Sequence, residues 1–426
     1  MSNPSPSFST QQERYQWEAW EALATHLRRS YYRPDLGALL ISMSAVQSHF
    51  HSEQKHPVWV WLLGVPGSGK TEIGIETLCA FGPRVENGQF PLNKTGTNFH
   101  KVNDLSEKSL ISGFQTQRGK NNKQFSLLHR LGKSAIILIP DFSLFLDKRE
   151  EEQRTLISLM RRIWDGETGK DAGNSIIDQP WSGKLTLVGA APPALEDRWT
   201  VSNSLGDRTL VCRWRGTHTW EEKTALAMAC TEEGGGDRQA EIREKTLTLT
   251  KQFLTGTTKA CMPGRETREM LAQIATLVTQ TRRNVTRSFH GNGEIIGVGS
   301  QEEPTRIMIG IIQVARAHAE LFGRKEPGPA DIAAAQRLGV DTIPQTRRRL
   351  LDVMVSRLAI MDDGETTFND FHRSTLLPIS TLRYYLTEMA AVGMISLEKS
   401  EMQGEYCRFN KDFLEGMKMA GLIKRD

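Results

Sequence analysis

Apolar and polar positions along this chain fall into blocks whose period changes from one stretch to the next. Trp17, Trp20, Leu23 and Leu27 recur at helical spacing, which predicts an amphipathic helix over 12–29, and a second, apolar helix follows over 36–50. Ahead of them, residues 1 to about 12 are polar and Pro/Ser-rich and read as disordered. From 58 to about 214, apolar runs at 58–63, 97–102, 135–139, 185–189 and 209–214 alternate with helix-compatible segments, as the strands of a parallel α/β sheet do. Gly234-Gly235-Gly236-Asp237 breaks that pattern. Helical periodicity then runs over 267–281, 305–321 and 330–338, punctuated by Pro327-Gly328-Pro329. Beyond Ile343-Pro344 the order becomes three helices (347–360, 368–375, 379–392) and a hairpin (394–397 with 406–410) around Gly404. No internal repeat is visible. The boundaries this suggests are a tail and helix (1–32), an α/β core (33–233), a helical unit (234–344) and a terminal unit (345–426).

Composition narrows the class without deciding it. The 426 residues hold two to three domains at about 150 residues each. Apolar content of 38% and charged content of 24% are those of a globular protein. A net charge of +4 implies no nucleic acid by itself, so local clusters must carry that argument. Cysteines 79, 212, 230, 261 and 407 form no C-x-x-C pair, which fits reduced thiols rather than disulfides or a zinc site. With no apolar leader and no stretch of about 18 apolar residues, the expectation is a cytoplasmic protein without a membrane partner.

The first strand block carries the chemistry. Val58 to Leu63 runs into Gly64-Val65-Pro66-Gly67-Ser68-Gly69-Lys70-Thr71, with Glu72 next and a helix expected from 71 to 79. Glycines let backbone N–H groups wrap phosphate oxygens, and the helix start favours the anion. Lys70 offers a point charge to the β- and γ-phosphates, and the Thr71 hydroxyl can ligate Mg²⁺. ATP and Mg²⁺ are therefore the expected ligands. Ala135 to Ile139 is a second buried strand, ending in Pro140-Asp141. There a carboxylate either organises the metal through water or simply faces solvent at a turn.

These two motifs resemble the AAA+ ATPases. That resemblance implies a Glu after the Asp to polarise the attacking water, and Phe142 stands in its place. It also implies a polar residue at the end of the 185–189 strand, where this chain has Gly189, Ala190 and Ala191. Asp147 or Glu150 to Glu152 are candidate replacement bases, and the expectation is tight binding with slow or partner-dependent hydrolysis. Arg208, just before the last strand, takes the position of an arginine finger acting on a neighbouring subunit; its other reading is a surface residue paired with Asp207 or Asp197. Thr305-Arg306 opens a helix through Ala317-His318-Ala319 and resembles the lid of minichromosome-maintenance-type helicases. Arg306 would then be the lid residue that senses the γ-phosphate, or else only a helix-surface residue. His318 reads as a packed core histidine, and Arg282, Arg283 and Arg287 as a basic run or a solvated face.

The terminal unit resembles a winged-helix domain, whose third helix enters the DNA major groove. Thr381, Arg383 and Tyr384 would face outward from that helix, and Arg347, Arg348, Arg349, Lys399 and Arg408 would meet phosphates. The same architecture also serves protein docking. The full reading is an α/β P-loop AAA+ core with a helical lid and a winged helix. It is expected to form a homo-oligomer that works on DNA in replication or mobility of a genetic element. The alternative is an ATP-gated switch acting on a protein partner.

Overall fold

The computed structural model describes residues 8–82, 97–111, 126–168, 180–196, 208–216, 219–229, 235–257, 259–288, 293–360, 364–400 and 404–423. The first seven residues of the expected tail, Asp197, 205–207, Cys230 and Gly234 lie outside these. By its contacts the chain divides into two compact units. One comprises Met1–Leu195, Arg208–Pro263 and Gln313–Ala334; the other comprises Glu196–Asp207, Gly264–Ile312 and Ala335–Asp426.

In the first unit, helix α1 (Gln11–Ser30) starts where the Thr10 side chain accepts the Glu13 N–H, and α2 (Leu36–Gln47) where Asp35 accepts the Ala38 N–H. Of the four residues the spacing predicts for the buried face of α1, Trp20, Leu23 and Leu27 are buried and Trp17 is half-buried, with Gln16 and Ala24 also buried. Five parallel strands follow: β1 (Trp59–Leu63), β2 (Asn98–Lys101), β3 (Ser134–Ile139), β4 (Lys184–Ala191) and β5 (Leu210–Arg213). Their order across the sheet is β2-β3-β4-β1-β5. Trp61 stands opposite Gly189 on one side and Val211 on the other. All five residues of β1 and five of the six in β3 are buried, which is why these strands read as continuous apolar runs rather than alternating ones.

Parallel pairing puts every carboxyl end at one edge of the sheet. The loop after β1, Pro140-Asp141 after β3 and Trp214 after β5 therefore share that edge, while Arg208, which precedes β5, belongs to the opposite one. The amino edge is closed by buried polar pairing. His49 bonds the Thr186 and Ser134 hydroxyls, both at 2.9 Å, and burial followed by the nearby Lys184 pushes its pKa down to about 3, so it packs as a neutral ring. His318 is a core histidine as expected, buried 2.6 Å from Asp331.

Two local expectations need correction. The loop helix, α3, is not a uniform α-helix: a wide π-type turn (Lys70–Ile75) closed by Glu76 N–H to Thr71 C=O runs into a tight 3₁₀ turn (Glu76–Phe81). The turn holds Gly74, where an added Cβ would lie 2.8 Å from Leu62 Cδ1 and 2.9 Å from Trp214 Cζ3. The Gly-rich break at 234–237 is in fact where a 20-residue helix, α4 (Gly235–Leu254), begins. It packs along α1, with the Gln16 amide donating to Phe253 C=O at 2.8 Å.

The second unit carries α5 (Arg265–Thr281) and a hairpin of β6 (Val285–Arg287) and β7 (Ile295–Val298). Helix α6 (Thr305–Leu321) begins in it, and α7 (Pro329–Asp341) ends in it. Then come α8 (Gln345–Leu358), β8 (Thr366–Thr367), α9 (Phe368–Thr375), α10 (Ile379–Ala391), β9 (Ile395–Ser400), β10 (Gly404–Phe409) and α11 (Lys411–Met419). The last strands form an antiparallel sheet in the order β8-β10-β9, over a core of Leu350, Met354, Phe371, Leu382, Leu386 and Met389. Strand β8 and helix α11 have no counterpart in the sequence expectation. At two residues, β8 is too short to show a period.

Candidate functional site

The phosphate loop is held from beneath by a residue the sequence reading passed over. Trp214 is buried, receives the loop strand through its N–H to Leu63 C=O at 2.7 Å, and donates its indole N–H to Ser68 C=O at 2.8 Å. A Cβ on Gly64 would lie 3.0 Å from Trp214 Cβ, so Gly64 lets the loop lie on this side chain. Gly67 (φ 75°) and Gly69 (φ 83°) take left-handed conformations that other residues rarely adopt, and they wind the loop into α3. Pro66 lies between these fixed points. The available signal was the pairing of Gly64 and Gly74 with a Trp immediately past the neighbouring strand.

Lys70 is buried at the start of α3, with its ammonium donating to Val65 C=O at 3.3 Å. Burial pulls its pKa below the ordinary lysine range, and nearby Asp141 opposes that shift. The Thr71 hydroxyl donates to Pro140 C=O at 2.8 Å, which ties α3 to the end of β3 one residue before Asp141. Asp141 is exposed and accepts the Ser143 N–H at 2.9 Å. A hydroxyl and a carboxylate fit a hard cation such as Mg²⁺. No cluster of three or more His, Cys, Asp or Glu ligands exists among the described residues, so phosphate oxygens would have to complete the coordination. Glu72 is engaged elsewhere: Arg243 on α4 meets both its oxygens, at 3.0 and 3.1 Å. Burial, then Glu72, raises the Tyr31 phenol to about 12.

One aromatic stack occupies the two positions where acid and polar groups were expected. Phe142 is buried with its ring centroid 4.4 Å from Trp61 and 4.8 Å from Phe145. A Cβ at Gly189 would fall 2.1 Å from Trp61 Cζ3, so a side chain there is incompatible with Trp61. The missing Glu and the missing sensor residue are thus a single packing solution. Of the substitute bases, Glu150 pairs with Arg154 at 2.6 Å, and Asp147 is exposed at the end of the short helix Ser143–Leu146.

Arg208 donates to both Asp165 oxygens, at 3.1 and 2.7 Å, and lies over the Trp164 ring at 5.7 Å. The two anticipated carboxylates, Asp197 and Asp207, lie outside the described residues. Arg306 sits in the first turn of α6, within the second unit, and pairs with Glu302 at 3.4 Å.

Of the candidate DNA contacts one is buried and others are paired with carboxylates. Arg347 is buried, donating to Thr281 C=O at 2.6 Å, Arg283 C=O at 2.8 Å and Glu388 at 3.1 Å; the expectation of a phosphate contact there is corrected, because the guanidinium is consumed by the fold. Arg348 pairs with Asp341, and Arg383, although exposed, forms a bidentate salt bridge with Glu405 at 2.9 and 2.7 Å. Arg287 lies over the Tyr384 ring at 3.9 Å and donates to Tyr384 C=O at 2.8 Å. Thr381 is half-buried, and Lys399 is exposed opposite Glu405 in the hairpin register. Compared with known proteins, the chain matches no family model, and no curated protein matches it significantly.

Proposed function

We propose that this chain binds ATP with Mg²⁺ at the loop 64–71 and works as an AAA+-type ATPase that assembles on DNA as a motor, helicase or loader. The observation that carries the nucleotide part is the convergence of three groups: Lys70 buried beside Asp141, and Thr71 bonded to the carbonyl just before it. Backbone N–H groups of the loop would wrap the phosphates, Lys70 would neutralise the terminal ones, and Thr71 with Asp141 would hold the cation. Bound Mg²⁺ supplies charge neutralisation to the phosphoryl oxygens. An all-parallel sheet with the loop at its carboxyl edge supports this reading, since ligands of such sheets bind there. The order helix, strand, helix, helix, hairpin over 345–409 supports a winged helix, and with it the DNA partner. Arg208 would act on a neighbouring subunit and Arg306 on the γ-phosphate.

A second reading, the ATP-gated switch with little hydrolysis, is favoured by the Trp61–Phe142 stack, which puts carbon where a proton acceptor would orient water. Calorimetric titration of ATP·Mg²⁺ into the chain and into Lys70→Ala, with turnover measured with and without duplex DNA, tests both. Binding lost in the variant supports the site. Turnover that rises with DNA supports the motor, and turnover near background in both conditions supports the switch.

A further inference from the structure

Past the carboxyl end of β5 the chain reads Trp214-Arg215-Gly216, with Trp214 and Gly216 set against the phosphate loop and the Arg215 backbone bonded to Asp35 at the start of α2. Trp214 packs beneath the loop and bonds Ser68 C=O. A Cβ on Gly216 would lie 3.5 Å from Val65 Cγ2 and 3.9 Å from Ser68 Cβ, which sets Gly216 alongside the loop. Between them, the Arg215 N–H donates at 2.9 Å to Asp35 Oδ2, the carboxylate whose other oxygen caps α2. Only the Arg215 side chain is left uncommitted. It is exposed and, among the described residues, has no hydrogen-bond, ion-pair or ring partner. Several other arginines of this unit are answered by carboxylates: Arg33 pairs with Glu222, Arg208 with Asp165, Arg243 with Glu72 and Arg316 with Glu53.

We infer that Arg215 is a phosphate-binding cation, reaching the triphosphate from the β5 side while Lys70 approaches from α3. This rests on the nucleotide reading above. A guanidinium offers paired donors that match phosphate oxygens, and a pinned backbone lowers the entropy lost on binding. The topology agrees: Arg215 follows β5 and so lies at the carboxyl edge with the loop, whereas Arg208 precedes it.

The test is calorimetry with ATP, ADP and AMP on the full chain, Arg215→Ala, Arg215→Lys and Lys70→Ala. Arg215→Ala is expected to bind ATP and ADP about tenfold more weakly, as for the loss of one charge-assisted bond. AMP affinity and the melting temperature of the nucleotide-free protein should stay unchanged, and Arg215→Lys should recover part of the loss. Unchanged ATP affinity overturns the inference. So does an equal loss for ATP and AMP, which would assign Arg215 to the nucleoside, and so does a lowered melting temperature, which would make it structural. Wild-type protein that binds no ATP, or Lys70→Ala that binds as the wild type does, takes down the nucleotide reading and this inference together. Binding that depends on Lys70 but not on Arg215 sinks this inference alone.

Discussion

At the carboxyl edge of the parallel sheet, positive charge is left largely unanswered by the protein. Lys70 is buried against a backbone carbonyl with Asp141 nearby, and Arg215 has no described partner. On the helix–hairpin face of the second unit the chain is richer in arginine, yet Arg347, Arg348 and Arg383 each face a carboxylate of the same fold. The difference teaches that a basic run in sequence is not an available charge. A cation answered inside the fold contributes structure, and one left open is available to a ligand.

The largest loss of stability is expected at Phe142, beside the carboxyl edge. Phe142→Glu should not restore a base; it should lower unfolding free energy by about 4 kcal/mol, because it removes a buried ring and places a carboxylate between Trp61 and Phe145. Urea denaturation measures this, and wild-type stability with raised turnover would contradict it. Next, Arg347→Ala should cost about 3 kcal/mol by leaving two carbonyls without their side-chain donor and Glu388 with Arg287 as its remaining arginine partner, with no change in DNA affinity while the protein stays folded. A stable variant with weakened DNA binding would return Arg347 to the interface.

Asp141→Asn should weaken Mg²⁺-dependent ATP binding about tenfold, or about 1.4 kcal/mol, and leave Mg²⁺-free binding unchanged. Equal losses in the two titrations would make Asp141 a turn residue that serves only the Ser143 N–H. The smallest effect sharpens the other side of the comparison. Glu405→Ala should change stability by under about 0.5 kcal/mol but release Arg383, steepening the slope of log K against log salt for duplex DNA by about one unit. If DNA binding ignores both Glu405→Ala and Arg383→Ala, the face is a protein-docking surface.

The sheet and the loop were legible in the order of residues alone. The five strands lie where the sequence pattern predicts them; the inner strands β1, β3 and β4 read as near-continuous apolar runs because both of their faces are buried, whereas the edge strands β2 and β5 are only partly buried. Helix α6 and helix α9 keep their predicted bounds, since helical spacing and the Thr367–Asp370 capping box are local signals. Which charges are answered inside the fold depended on contacts between distant segments. Arg347 meets Glu388 across 41 residues, Arg208 meets Asp165 across 43 and Arg243 meets Glu72 across 171, separations at which no local pattern specifies a partner. Such contacts also decided why Gly189 lacks a side chain, since the reason is the Trp61 ring one strand away. Hydrophobic periodicity is written residue by residue, whereas the pairing of charges and the fit of one ring against one glycine exist only once distant strands are side by side.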